Sequence, residues 1–190
     1  MVGNRSPRDE PDYTRGLAYL ESIRSLALSP DLIYVPENLA ERLRLGTWVA
    51  TSIHAINTHL QNYVEQCHQC FHPGERHMVQ VFAAPICESF KIDGCCNLQR
   101  TPAAIVLDVG RVQPSDWLGL VVHEYAHVQA GHPGHQAAYV KALTHLCLGL
   151  NFPLPPPDAP ETYLQQWPHC PAVPNPLDFW LGNTSLNLKH

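Results

Sequence analysis

The residues best suited to chemistry stand close together, in His123-Glu124-Tyr125-Ala126-His127. Two histidines at i and i+4 on a helix share one face about one turn apart, so their rings can converge on one cation. The glutamate between them lies beside that face, where it can polarise a water held by the metal. This is the H-E-x-x-H spacing of zinc hydrolases. Surface or capping histidines on an ordinary helix are the alternative, but His-Glu-x-x-His on the flank of a buried helix is costly unless its polar groups find partners, and a zinc ion supplies one.

A catalytic zinc takes three protein ligands and keeps one position open. Two residues compete for the third place, His132 and His135. His132 follows His127 closely at the helix end, whereas Gly131, Pro133 and Gly134 can reverse the chain before His135, which is therefore favoured. Metzincin spacing would place the third histidine at residue 133, which is Pro133, so that class is excluded. Zn2+ is the expected cofactor.

Cys67-His68-Gln69-Cys70 has the look of half a structural zinc site, which Cys95 and Cys96, or Cys87, would complete. Reduced thiols near a helix end and a local disulfide are the alternatives. Seven cysteines are an odd number, and in a cytosolic chain clustered cysteines read as thiols or metal ligands before disulfides. Cys170, beside His169, is a weaker candidate for an inhibitory ligand on the active zinc.

These residues need elements to hold them. Leu17, Leu20, Ile23 and Leu26 recur at helical spacing within Asp12 to Leu28. A short helix over Leu39 to Leu45 follows Pro36 and stops at Gly46. A long helix then runs from Thr47 to about Gln69, with Val49, Ile53, Ile56, Leu60 and Val64 on one face. The period changes to strand-like in Met78–Phe82, Phe90–Ile92 and Ala103–Val109, with Asp93-Gly94 as a turn. Ser115 is placed to cap the helix carrying His123 and His127, which ends near Ala130 before Gly131. His135 to Leu148 reads as the next helix.

Half of the 18 prolines lie beyond Asn151, so residues 151–190 are expected to wrap the surface as an extended tail, anchored by Trp167, Phe179, Trp180 and Leu181. Residues 1–150 are expected to form one domain, with a helical part over 12–72 and the sheet and site helices over 77–150.

Composition narrows the function. Of 190 residues, 45% are hydrophobic, enough for a core, while only 15% are charged and 12 are histidine. A net charge of −5 without a basic run argues against autonomous nucleic-acid binding. The segment Met1 to Pro11 has no apolar stretch of a secretory signal, and no window is long and apolar enough for a membrane span, so a soluble, cytoplasmic protein is expected.

At His123–His127 together with His135-Gln136-Ala137-Ala138-Tyr139, the chain resembles the SprT-like branch of zincin metalloproteases. That branch places H-E-x-x-H on one helix and a histidine with a following aromatic at the start of the next. The likeness covers about residues 102 to 150, including Leu148-Gly149-Leu150. Gln136 stands where the family has glycine, and no zinc ribbon follows, so DNA-linked proteolysis is not implied. The resemblance implies an α+β, zincin-like fold: N-terminal helices, a small, mostly antiparallel sheet, and two site helices. It also implies a peptide or protein substrate, Glu124 as general base on the water that zinc activates, and strand Ala103–Val109 as the sheet edge that binds an extended substrate. Tyr139 and His145 are candidates to stabilise the oxyanion. The leading expectation is a zinc-dependent metallopeptidase. Its rivals are a metal-binding assembly protein that meets a partner through its N-terminal helices or tail, and a hydrolase of non-peptide amides.

Overall fold

The computed structural model describes residues 11–184. The polar N-terminal segment 1–10 and the last six residues of the tail lie outside the described residues.

Helix α1 (Asp12–Leu26) buries Leu20 and Ile23, as its spacing demands. Helix α2 (Leu39–Gln69) is one uninterrupted helix of 31 residues, not two. It starts at Asn38, whose side chain accepts from the N–H groups of Ala40 and Glu41 at 2.9 and 3.2 Å, satisfying donors that a helix start leaves unpaired. Gly46, expected to stop a helix, lies inside it. The glycine serves a crossing: a methyl group on Gly16 of α1 would overlap the Gly46 carbonyl oxygen, and one on Gly46 would sit 2.6 Å from Tyr13 O. The two backbones touch there, which only glycine permits.

The sheet has three strands, β1 (Val79–Ala83), β2 (Gly94–Asn97) and β3 (Ala103–Leu107), in the order β1-β3-β2. β1 runs parallel to β3 and β2 antiparallel to it, so the sheet is evenly mixed rather than mostly antiparallel. β3 is the central strand and all five of its residues are buried. It is therefore not the substrate-accessible edge. The expected strand Phe90–Ile92 is instead the end of a 3₁₀ turn (Glu88–Phe90) followed by Lys91 in the left-handed region at φ 53°. The second strand starts at Gly94, where a turn was expected.

α2 packs against β1, α3 (Trp117–Ala130) against β2 and β3, and the two helices meet each other. Ser115 does not cap α3; it belongs to a 3₁₀ turn, Pro114–Asp116, that leads into the helix, and Asp116 holds the cap position. Gly131, at φ 65°, ends α3 in the left-handed conformation that favours glycine. α4 (Ala137–Leu150) begins two residues after His135, which thus sits in the loop between the helices.

The proline-rich tail is less extended than its composition suggests. It contains two five-residue helices, α5 (Glu161–Gln165) and α6 (Pro176–Trp180), and buries Leu164, Trp167, Phe179 and Trp180 in the common core. Three of its four expected anchors are buried, and Leu181 is partly so. Among the described residues, no helix is long and apolar enough to cross a membrane.

Candidate metal centre

α3 is apolar nearly all round because it is enclosed: Val121, Val122, Tyr125, Ala126 and Val128 are all buried. Its remaining face carries His123 and His127 toward a cavity of about 870 Å³. The loop that follows Gly131 turns back and brings His135 to the same point. One ring nitrogen from each of His123, His127 and His135 lies within 4.8 Å of the other two, so the three histidines could hold a metal ion. His132 is outside this group.

The chemistry of the donor set suits a divalent cation. Two ligands 2.0–2.1 Å from one tetrahedral zinc stand about 3.4 Å apart, and the Nε2 atoms of His123 and His135 are separated by 3.4 Å. Nδ1 of His123 lies 2.9 Å from the Trp167 carbonyl oxygen, and Nδ1 of His127 lies 3.1 Å from that of His132. A carbonyl can only accept, so each Nδ1 carries the proton and each Nε2 keeps its lone pair for a metal. Burial lowers the pKa of His123 to about 3 and that of His127 to about 4, and it lowers His135 as well. All three rings are therefore neutral at ordinary pH, as ligation requires.

Glu124 borders the same cavity and is 7% exposed. Burial, reinforced by the charge of Asp93, pushes its pKa up to about 8; a cation alongside favours the ionised form. Room for this carboxylate comes from Gly94. A methyl group there would stand 3.0 Å from Glu124 Oε1 and 2.6 Å from Leu107 Cδ2. Gly94 is thus a site residue that the sequence presents only as a turn former.

Tyr139 is fully buried, and its hydroxyl lies 3.0 Å from Nδ1 of His123, on the side of the ring away from the metal-facing nitrogen. Burial pushes its pKa up, so the phenol stays protonated. His145 is elsewhere: its Nε2 donates to the Cys70 carbonyl at 2.6 Å, and its ring packs on Phe71. Neither residue is placed as an oxyanion stabiliser at the open side of the three histidines.

The second site expected from Cys67, Cys70, Cys95 and Cys96 is not assembled. All seven cysteines are free thiols. Cys67 and Cys70 end α2, where Cys70 packs on Gly149 of α4, whereas Cys95 and Cys96 belong to β2 beside Glu124. Among the described residues, the three histidines are the group that brings three such donors together. Burial raises the Cys95 thiol to about 12 and pushes Cys67 and Cys96 up too, so all three are neutral thiols in the metal-free chain. Cys170 borders the histidine cavity without joining the ligand group.

The cavity is lined in part by the tail, residues 165–170, and by residues 91–96, which lead into β2. Trp167 is marked in the sequence only as an anchor; its carbonyl as a partner of His123 leaves no local sequence signal.

No known protein family, curated protein or solved structure matches this chain.

Proposed function

We propose that this chain is a zinc-dependent metallopeptidase of the zincin type, similar to the SprT-like branch. The observation that supports it most directly is the convergence of His123, His127 and His135 beside Glu124 on one open cavity. A zinc ion held by the three Nε2 atoms would supply Lewis acidity, lowering the pKa of a water and polarising the scissile carbonyl. Glu124 then takes the proton from the attacking water and returns it to the leaving amine. Tyr139 acts as a positioning residue, holding the His123 ring from its Nδ1 side.

An extended peptide substrate suits the cavity. The Asp108 N–H donates to Asp93 O at 2.8 Å, so paired residues alternate along β2, and Gly94 and Cys96 direct their main-chain N–H and C=O groups away from β3. Both border the cavity. A substrate strand adding to β2 therefore passes Glu124. In this reading β2 takes the place first assigned to β3.

The test combines metal content with turnover on an unfolded protein substrate such as casein. Wild type is expected to carry about one zinc per chain and to cleave. Glu124→Gln should keep the metal and lose at least about 100-fold in cleavage, the scale of a missing general base. His123→Ala should lose both. Cleavage that survives Glu124→Gln would refute the mechanism, and zinc binding without cleavage in wild type would favour a metal-binding interaction protein.

A further inference from the structure

The tail meets the candidate metal centre at one hydrogen bond and along the cavity wall. The Trp167 carbonyl accepts from Nδ1 of His123, and residues 165–170 line the cavity. The same segment is tied to the body at points away from the histidines. Pro168 packs on Gly119 of α3 so closely that a methyl group on Gly119 would stand 2.6 Å from Pro168 Cγ. Val173 N–H donates to Arg111 O at 2.8 Å, and Trp180 Nε1 donates to buried Asp108 at 2.7 Å. The Trp167 side chain is 5% exposed, with its ring 5.6 Å from that of Phe152.

We propose that the tail segment 161–170 is the outer shell of the metal centre, with the Trp167 carbonyl as its positioning group, so that docking of the tail and binding of the metal support each other. This inference rests on the metal reading above. Its physical basis is the tautomer of His123. The proton on Nδ1 must be held by an acceptor for Nε2 to keep its lone pair on the cavity side, and this acceptor also fixes the angle of the ring. For His127 the acceptor comes from His132, five residues along the same chain segment. For His123 the carbonyl acceptor comes from a segment 44 residues away and shares Nδ1 with the Tyr139 hydroxyl of α4, so the ring is positioned by α4 and the tail together. Coupling of this kind is reciprocal: whatever tail docking adds to metal affinity, the metal returns to tail docking.

Gly119→Ala addresses this directly. Alanine is a better helix former than glycine, so α3 itself should not suffer, while the added methyl displaces Pro168 and draws the Trp167 carbonyl away from His123. Zinc affinity, measured on the full chain by competition with a chromophoric chelator, should fall about tenfold or more, the usual effect of losing an outer-shell partner. Wild type supplies an independent readout that needs no substitution. Zinc should slow amide hydrogen exchange across residues 161–170 relative to the metal-free protein. Equal zinc affinity in Gly119→Ala and wild type, or exchange in 161–170 that ignores zinc, would overturn the proposal while leaving the three-histidine site standing. Failure of wild type to bind zinc would overturn the site and this inference together.

Discussion

Cys87 differs from the other six cysteines in what surrounds its sulfur. It lies near the surface with Ser89 Oγ 3.1 Å from its Sγ, and the hydrogen bond from Ser89, with a smaller effect of Arg111, lowers its pKa below the usual thiol range. Burial pushes Cys67, Cys70, Cys95, Cys96, Cys147 and Cys170 the other way. Only the thiolate is an effective nucleophile, and a lowered pKa brings it into play at lower pH. With limiting iodoacetamide at pH 7.5, Cys87 should be labelled first, and its rate should level off at a lower pH than that of a free thiol. Cys67, Cys95 and Cys96 should stay unlabelled until the protein is unfolded. Peptide mapping decides the matter, and labelling of Cys95 or Cys96 as fast as Cys87 would contradict their burial.

Elements give a second kind of test, because the sequence marks some of them and conceals others. The crossing of α1 and α2 depends on two glycines, and Gly16→Ala places a methyl group on the Gly46 carbonyl. Both helices must separate there, although alanine favours the helix locally. The expected cost is about 1–3 kcal/mol, as for overpacked cores, read as a lower midpoint in urea; stability equal to wild type would mean that the helices do not touch at this point. The same contact explains why Gly46 misleads as a helix stop: its reason lies thirty residues earlier in the chain. His123 and His127 are legible because both lie on one helix, and i, i+4 spacing is a local rule. His135 is legible because Gly131 and Gly134 show where the chain can turn. β2 is not, since Gly-Cys-Cys-Asn lacks the alternation of a half-buried strand and is defined by pairing with β3. Phe90-Lys91-Ile92 has strand-like composition but no partner strand, and it turns at Lys91 instead. Proline content hides the folded part of the tail, while its aromatic residues reveal where it is held.

At the scale of the whole molecule, one buried carboxylate joins the sheet, the loop after β1 and the tail. Asp108 is 2% exposed and stands just beyond β3. Its Oδ1 accepts from Gly110 N and from Trp180 Nε1 in α6, and its Oδ2 accepts from Ile86 N and from Arg111 Nε. Arg111 in turn donates to the Ile86 carbonyl and lies 3.8 Å from Asp93, which borders the metal cavity. Four donors converge on one carboxylate, and an amide of the same shape cannot serve them. In Asp108→Asn either orientation sets an NH2 group against two donors and takes from Arg111 its closer carboxylate, leaving only Asp93 at 3.8 Å. Removing one member of a buried charged network costs about 3–5 kcal/mol. Because the network ties α6 to the strand that supports α3, the loss should spread and not simply release the tail. Thermal unfolding followed by far-UV circular dichroism and by tryptophan fluorescence should therefore coincide in wild type, with one transition for body and tail. In Asp108→Asn both signals should move together to a lower temperature. If the fluorescence of the four tryptophans, two of them in the tail, changed first while the helices melted at the wild-type temperature, the tail would be an appendage, and the joint role assigned to Asp108 would fail.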